Sequence, residues 1–158
     1  MRDFDYIELK VPAKAQYISV IRLAVSGIAT TIGFKFDEIE DLKIAIEEAV
    51  KKVIQHIAKK ETVESELIIV CGVYEDKIEL LVGEDCNHAS FNEMKTTTGT
   101  YGRNKEKIDL EQEEALGFYL METLMDEVKL NIEDGVAVFM TKYVTREQVG
   151  DCVERITS

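Results

Sequence analysis

The chain has 158 residues, of which 46% are hydrophobic and 32% are charged, so it can bury one core and leaves little room for a second domain. Its 31 acidic residues outnumber 19 basic ones, and the net charge of −12 argues against direct binding to nucleic acid or anionic membranes. We expect one domain over residues 1–158, with its core at about 5–149. We also expect it to be cytoplasmic, since the start lacks a secretion signal and no segment approaches the ~20 apolar residues of a membrane span.

The first half of the chain predicts a strand followed by two helices. Residues 6–11 alternate apolar and polar side chains, which is the period of a strand with one buried face. Over residues 15–32 apolar side chains recur every three or four positions and mark one face of a helix. A second helix follows, with Asp37 and Glu40 as a capping pair at its start and helical apolar spacing up to Ile57.

The second half predicts two hairpins and one helix. Residues 67–74 and 78–82 are β-branched and apolar runs joined by a short turn, which favours an antiparallel hairpin. Helical spacing returns over residues 116–125, and a second hairpin pairs residues 128–132 with residues 136–143. The continuous apolarity of the first run indicates a strand that is buried on both faces.

The longest irregular stretch lies between Cys86 and Ala115. About thirty residues there, rich in Asn, Thr, Gly, Lys and Glu, show no sustained period and exceed the usual connection of a compact domain. We therefore expect a lid-like loop over residues 86–115. The order of elements places helices on one face of a mixed, mainly antiparallel sheet, so the predicted fold is an α+β two-layer sandwich.

Four segments of the sequence resemble the RsbW and SpoIIAB family of anti-sigma factors. They are residues 37–49 followed by Gln55-His56, residues 6–13 with 21–23, residues 117–128, and residues 140–143. The likeness extends over nearly the whole chain. It implies a histidine-kinase-like ATPase fold and a homodimer that sequesters a stress-type sigma factor. It also implies a serine kinase that uses ATP and Mg²⁺ to phosphorylate an anti-anti-sigma protein.

The resemblance assigns Glu48 as the general base and places Lys52 where the family has a magnesium-binding Asn. On a helix these two positions lie one turn apart. An ammonium group has no lone pair to give to Mg²⁺ and repels the ion, so the metal-ligand role fails here. Two interpretations stay open. In one, Glu48 with Lys52 and Glu47 with Lys51 are simple surface ion pairs; in the other, Lys52 contacts the nucleotide phosphates in place of the metal.

The resemblance also places an adenine-binding carboxylate after the first hairpin. Without a gap Glu84 takes that position and Cys86 replaces the family's glycine, whereas a one-residue insertion aligns Asp85 and Asn87 instead. Cysteine lacks the φ freedom of glycine, while asparagine tolerates left-handed geometry. We interpret His88 as an exposed loop residue, since no second His or Cys has metal-ligand spacing beside it.

Ahead of its third helix the family closes the phosphate pocket with glycines, and only Gly117 of that pattern is present here. Glu113 and Glu114 put negative charge where a triphosphate would approach, although acidic residues also suit a helix N-terminus. Lys52, Cys86, Glu114 and Ala115 together alter the metal, adenine and phosphate contacts. We therefore expect weak or absent kinase activity.

Arg22 matches a family arginine that contacts the sigma factor, and a guanidinium group suits bidentate pairing with a partner's carboxylate. The alternative is a solvated arginine at the edge of a helix. The residues thus leave three functions open: an active anti-sigma serine kinase with Glu48 as base, an anti-sigma binding protein without chemistry, or a scaffold that is kept only for its fold.

Overall fold

The structure is a computed structural model that describes residues 4–59, 65–84, 88–96, 112–131 and 135–145. These ranges hold five strands, four α-helices and one short 3-10 turn. In chain order the elements are β1 (Asp5–Pro12), the 3-10 turn (Ala15–Tyr17), α1 (Ile18–Ile32), α2 (Phe36–Lys59), β2 (Glu66–Val73), β3 (Lys77–Glu84), α3 (His88–Thr96), α4 (Gln112–Leu124), β4 (Glu127–Asn131) and β5 (Ala137–Tyr143).

The strands form one open sheet in the order β1-β2-β3-β5-β4. Every pairing between them is antiparallel. The predicted α+β class is confirmed, with three of the four described helices on one face of the sheet and α3 on the other. The sheet was expected to be mixed, and it is antiparallel throughout its described strands. One reason lies between β1 and β2, where two helices return the chain to the end at which β1 finished, so that β2 runs in the opposite direction.

Helices α1, α2 and α4 cover one face of the sheet, and α2 contacts both of the others. On its sheet-facing side Leu42, Ala45, Ile46 and Ala49 are fully buried. The strand side chains in the same core alternate along each strand, as the period of two requires: Leu67, Ile69, Leu80, Val82, Val138 and Met140. Burial in this core raises the pKa of the Cys71 thiol to about 12, so the thiol stays neutral.

The start of α2 is capped by Glu38 and not by the predicted pair of Asp37 and Glu40. The backbone N–H of Lys35 donates to Glu38 Oε1 at 3.0 Å, and the backbone N–H of Thr145 donates to Oε2 at 3.1 Å. Because the helix begins earlier than predicted, Asp37 lies inside its first turn. Burial raises the pKa of Glu38, but these hydrogen bonds and a nearby positive charge outweigh burial, and the pKa is lowered.

A fourth helix, α3, lies within the stretch predicted as an irregular loop, so that prediction is wrong for residues 88–96. This helix packs on the sheet face opposite to the other three, with the Phe91 ring fully buried. Gly72 of β2 makes room for the ring, since a Cβ on Gly72 would lie only 2.8 Å from Phe91 Cζ. Residues 97–111 of the predicted loop lie outside the described residues.

Lysine side chains hold the C-terminal end of α3 against the sheet. The Lys129 ammonium of β4 donates to the backbone carbonyls of Met94 and Lys95, at 2.9 and 3.1 Å. Cations at this end of a helix satisfy its last carbonyl groups. Lys95 in turn lies 3.5 Å from the carboxylate of Glu79, a buried residue of β3, and donates to the hydroxyl of Tyr74. Polar contacts therefore supplement the packing of the ring.

The helical stretch Ala15–Ile32 is long and apolar enough, by length and composition alone, to cross a membrane, with a mean hydropathy of 1.3. It is the one such stretch in the described ranges, and it corrects the expectation that no segment approaches that length. Core helices of soluble proteins meet the same criteria. Here Ile21 and Val25 are buried in the main core, and Arg22 between them pairs with Glu47 of α2.

Candidate functional site

A cavity of about 280 Å³ lies between α2 and α4. The α2 residues that line it are spaced by three and four positions and so share one face of the helix: Glu48, Lys51, Lys52 and Gln55. The α4 residues form the opposite wall: Gly117, Phe118 and Met121. The cavity therefore brings together three residues that the sequence singled out, Glu48, Lys52 and Gly117.

Glu48 and Gly117 lie close together across the cavity. A Cβ on Gly117 would lie 2.6 Å from Oε2 of Glu48, closer than real Cβ contacts allow. The side chain of Glu48 is 23% exposed. A carboxylate thus lies against the α4 backbone and still reaches solvent, because position 117 carries no side chain.

Charged side chains beside the cavity form a chain of ion pairs. Lys51 Nζ lies 3.4 Å from Oε1 of Glu47 and 3.6 Å from Oε1 of Glu48. Arg22 Nη1 lies 3.9 Å from Oε2 of Glu47 and links α1 to α2. The predicted pair of Glu47 with Lys51 is therefore present, and Lys51 also forms an ion pair with Glu48. The Lys52 ammonium lies 6.0 Å from the centroid of the Phe118 ring, at the outer limit of a cation–π contact.

The lining residues do not fit a magnesium ion. Mg²⁺ takes an octahedral set of oxygen ligands, and among the described lining residues only Glu48 and Gln55 have side-chain oxygens. The ammonium groups of Lys51 and Lys52 have no lone pair to offer and repel a cation. Within the ranges that the structure describes, no group of three or more His, Cys, Asp and Glu residues could hold a metal ion.

Comparison with known proteins places the chain among ATPase-fold kinases. Residues 11–142 match the histidine kinase-like ATPase domain. Serine-protein kinase RsbW of Bacillus cereus (strain ATCC 10987 / NRS 248) is 44% identical over 149 residues, which cover 94% of this chain and 91% of that protein. The proteins of the same name from Bacillus thuringiensis subsp. konkukian (strain 97-27) and Bacillus mycoides (strain KBAB4) are 44% and 43% identical over the same shares. The chain belongs to the RsbW family.

Of the two adenine candidates in this RsbW-family chain, Glu84 lies within the described residues and Asp85 does not. Glu84 is the last residue of β3 and lies two positions after Val82. Its side chain is therefore on the same face of the sheet as Val82, the face that α1, α2 and α4 cover. The Ser65 hydroxyl donates to Glu84 Oε1 at 3.4 Å. Glu84 is not among the described residues that line the cavity, and the choice between the two carboxylates stays a prediction.

Several other predicted positions in this RsbW-family chain lie beyond the described part of the structure. Cys86 and Asn87 are outside the described residues, as are the side chains of Glu113 and Glu114. The backbone of Glu113 and Glu114 belongs to the first turn of α4, where acidic residues favour the helix. His88 is the first residue of α3, so its interpretation as a loop residue is wrong.

Sequence reasoning missed the other four lining residues. Helical spacing from Glu48 could have identified Lys51 and Gln55, because positions three and seven residues apart share a face. Phe118 and Met121 carried no such signal, since apolar residues at helical spacing indicate core, and both are buried. Only the packing of α4 against α2 makes these two residues a cavity wall.

Proposed function

We propose that this RsbW-family chain is a cytoplasmic, homodimeric anti-sigma factor that sequesters a stress-type sigma factor and uses ATP to phosphorylate a serine of an anti-anti-sigma protein. Identity to RsbW kinases over 94% of the chain supports the proposal. The observation that carries it is the cavity between α2 and α4, in which Glu48 lies against Gly117. A net charge of −12 favours protein partners over nucleic acids or membranes.

Glu48 is the residue that we assign to proton transfer. In the reaction the hydroxyl oxygen of the acceptor serine bonds to the γ-phosphorus, the bond from that phosphorus to the bridging oxygen breaks, and ADP leaves with the electron pair. The serine proton passes to a carboxylate within hydrogen-bond reach. Glu48 is the one carboxylate among the described lining residues, and its partial exposure lets a serine hydroxyl approach it.

The proposed function includes two further contacts, one with the adenine base and one with the sigma factor. Glu84 or Asp85 accepts a hydrogen bond from the adenine amino group. Arg22, whose side chain is 39% exposed, contacts the sigma factor through its guanidinium group. Residues 1–158 act as a single domain, a proposal supported by the one sheet that all described strands share.

Transfer of label from radioactive ATP to the anti-anti-sigma protein tests the kinase assignment. Wild type should transfer label and Glu48→Gln should not, because an amide cannot take up the serine proton. Glu40→Gln is the matched control, since Glu40 is also an α2 carboxylate paired with a lysine, Lys43 at 2.8 Å, but it does not line the cavity. Equal transfer by wild type and Glu48→Gln would rule out Glu48 as the base.

A second candidate function is favoured by Lys52, which lines the cavity at the position where the family has a metal ligand. In that case the chain sequesters its sigma factor by surface contact and transfers little or no phosphate. Binding surfaces tolerate substitutions that metal coordination does not. Capture of the sigma factor with equal affinity in the presence and absence of ATP, without label transfer, would select this function over the first.

A further inference from the structure

We infer that the cavity between α2 and α4 binds nucleotide phosphates through the ammonium groups of Lys51 and Lys52 and without a divalent cation. The inference rests on the part of the proposed function that makes a nucleotide the ligand. The described lining residues support the inference, because they provide two ammonium groups and too few oxygen ligands for Mg²⁺.

The local charge of the cavity is opposite to that of the molecule. The chain carries a net charge of −12. The charged residues among the described lining are Lys51, Lys52 and Glu48, which sum to +1. In a concave site, two cations attract an anion more strongly than they would on an open surface. The ammonium groups of the protein therefore balance the negative charge of a phosphate chain in this cavity.

The two lysines differ in how they are held, and both arrangements allow them to reach phosphate. Lys51 is 47% exposed and shares its ammonium between Glu47 and Glu48 at 3.4 and 3.6 Å. Exposed pairs of this kind contribute little to stability, so a multiply charged phosphate can draw Lys51 away from them. Lys52 lines the cavity from α2, and its ammonium lies 6.0 Å from the centroid of the Phe118 ring on α4.

Magnesium on the nucleotide should weaken this mode of binding. A divalent cation on the phosphates would lie next to two ammonium groups and would neutralise the charge that attracts them. The free nucleotide carries two more negative charges than its magnesium complex. We therefore expect a higher affinity for ATP in a chelating buffer than in excess Mg²⁺, which is the reverse of metal-dependent binding.

Calorimetry on the full chain tests the inference, with ATP and with inorganic tripolyphosphate, each in EDTA and in excess Mg²⁺. Both ligands should bind more tightly in EDTA. Lys52→Met should lose about tenfold in affinity in EDTA, as expected for one charge-assisted contact. Lys43→Met is the matched control, because Lys43 is an α2 lysine paired with Glu40 outside the cavity, and it should leave the affinity unchanged.

The outcomes separate this inference from the proposed function. Binding of ATP that requires Mg²⁺ would overturn the inference and leave the kinase assignment standing. Absence of binding in both buffers, from a protein that still captures its sigma factor, would overturn the inference and the use of ATP but not the anti-sigma role. Lys52→Asn gives an independent check that does not depend on a loss of function: its affinity for ATP should become higher with Mg²⁺ than with EDTA. Circular dichroism of each variant confirms folding.

Discussion

At Gly117 the backbone of α4 comes within reach of the Glu48 carboxylate because glycine carries no Cβ. A glycine in the interior of a helix costs about 0.5–1 kcal/mol relative to alanine. This helix therefore gives up some stability at the position where its backbone meets the proposed base. The contact gives a structural reason for glycine at position 117.

Gly117→Ala tests that role. The new Cβ would displace the carboxylate, so phosphoryl transfer should fall by about tenfold to a hundredfold, the range expected for a misplaced catalytic group. The free energy of unfolding should stay within about 1 kcal/mol of wild type, since the carboxylate ends a flexible side chain and alanine favours the helix. Label transfer and urea unfolding measure the two effects.

Gly27→Ala is the control for this prediction. Gly27 lies inside α1, and a Cβ there would meet nothing within 4 Å, so the variant gains the same helical preference without touching the cavity. Its label transfer should equal that of wild type. Equal transfer by both alanine variants would mean that the distance between Glu48 and α4 has no bearing on the reaction.

The sequence located part of the candidate site at the level of single residues. Glu48, Lys52 and Gly117 came from the resemblance to a family, and the structure brings all three to one cavity. Periodicity alone could not separate Phe118 and Met121 from ordinary core residues, because an apolar side chain against a cavity and one in the core obey the same spacing. Their role depends on how two helices pack.

At the scale of elements, Glu38 joins the beginning of α2 to the chain that follows β5. Its two carboxylate oxygens accept from the N–H groups of Lys35 and Thr145, which are 110 positions apart in the sequence numbering (145 − 35). The residue is buried, 7% exposed, so its charge depends on these donors. Loss of the carboxylate would leave two backbone donors without their acceptor.

Glu38→Gln should lower the free energy of unfolding at pH 7 by about 1.5–3 kcal/mol, the contribution of hydrogen bonds to a charged group. Because the pKa is lowered in the folded protein, the stabilisation is complete above the ordinary value of 4.5 and is lost as the pH falls through the folded pKa. Urea unfolding of both proteins should therefore show a gap that closes below pH 4.5. Glu40→Gln should open no such gap.

Helix α3 depends on a fit between one glycine and one ring. Gly72→Ala should destabilise the protein by about 1–3 kcal/mol, because its Cβ would overlap the buried Phe91 ring. Phe91→Ala should cost about 3–5 kcal/mol through the cavity it leaves. In the double variant Gly72→Ala should cost much less than it does alone, since the ring is absent. Additive costs, measured by urea unfolding, would show that the two residues do not interact.

Most elements followed from the sequence. β1, α1, α2 and α4 have apolar residues that repeat with a period of two or of three to four, and the two hairpins consist of apolar runs that flank short turns. α3 was missed because it has nine residues, and among its described side chains only Phe91 and Met94 are buried hydrophobics. This helix is held in place by features of distant strands, namely the space at Gly72 and the Lys129 ammonium. The spacing of apolar residues along the helix does not indicate such contacts.

At the scale of the whole molecule, the charge is unevenly distributed. The whole chain has a net charge of −12, whereas the described charged residues that line the cavity sum to +1. The sheet is covered by helices on both faces, with α3 on one and the other three helices on the other. Apolar side chains nevertheless remain exposed on α1 and α4, with Leu23 at 72% and Tyr119 at 65%. Proteins are the partners that suit such a surface.

We expect no binding to duplex DNA at physiological salt, even at protein concentrations near 10⁻⁴ M, about where non-specific binders associate. The reason is the repulsion between phosphates and a strongly acidic protein. Fluorescence anisotropy of a labelled duplex measures it. Lowering the salt should not produce binding, because less screening strengthens the repulsion; an affinity that rises as salt falls would instead reveal a basic surface.

The fit of Phe91 beneath Gly72 also has a consequence for evolution. In any relative that keeps α3 in this place, a larger residue at position 72 must be accompanied by a smaller one at position 91, since both cannot occupy the same volume. The two positions lie on different elements and should nevertheless change together across related genomes. Their pairing is a signature by which the docked helix can be recognised in sequences whose structures are unknown.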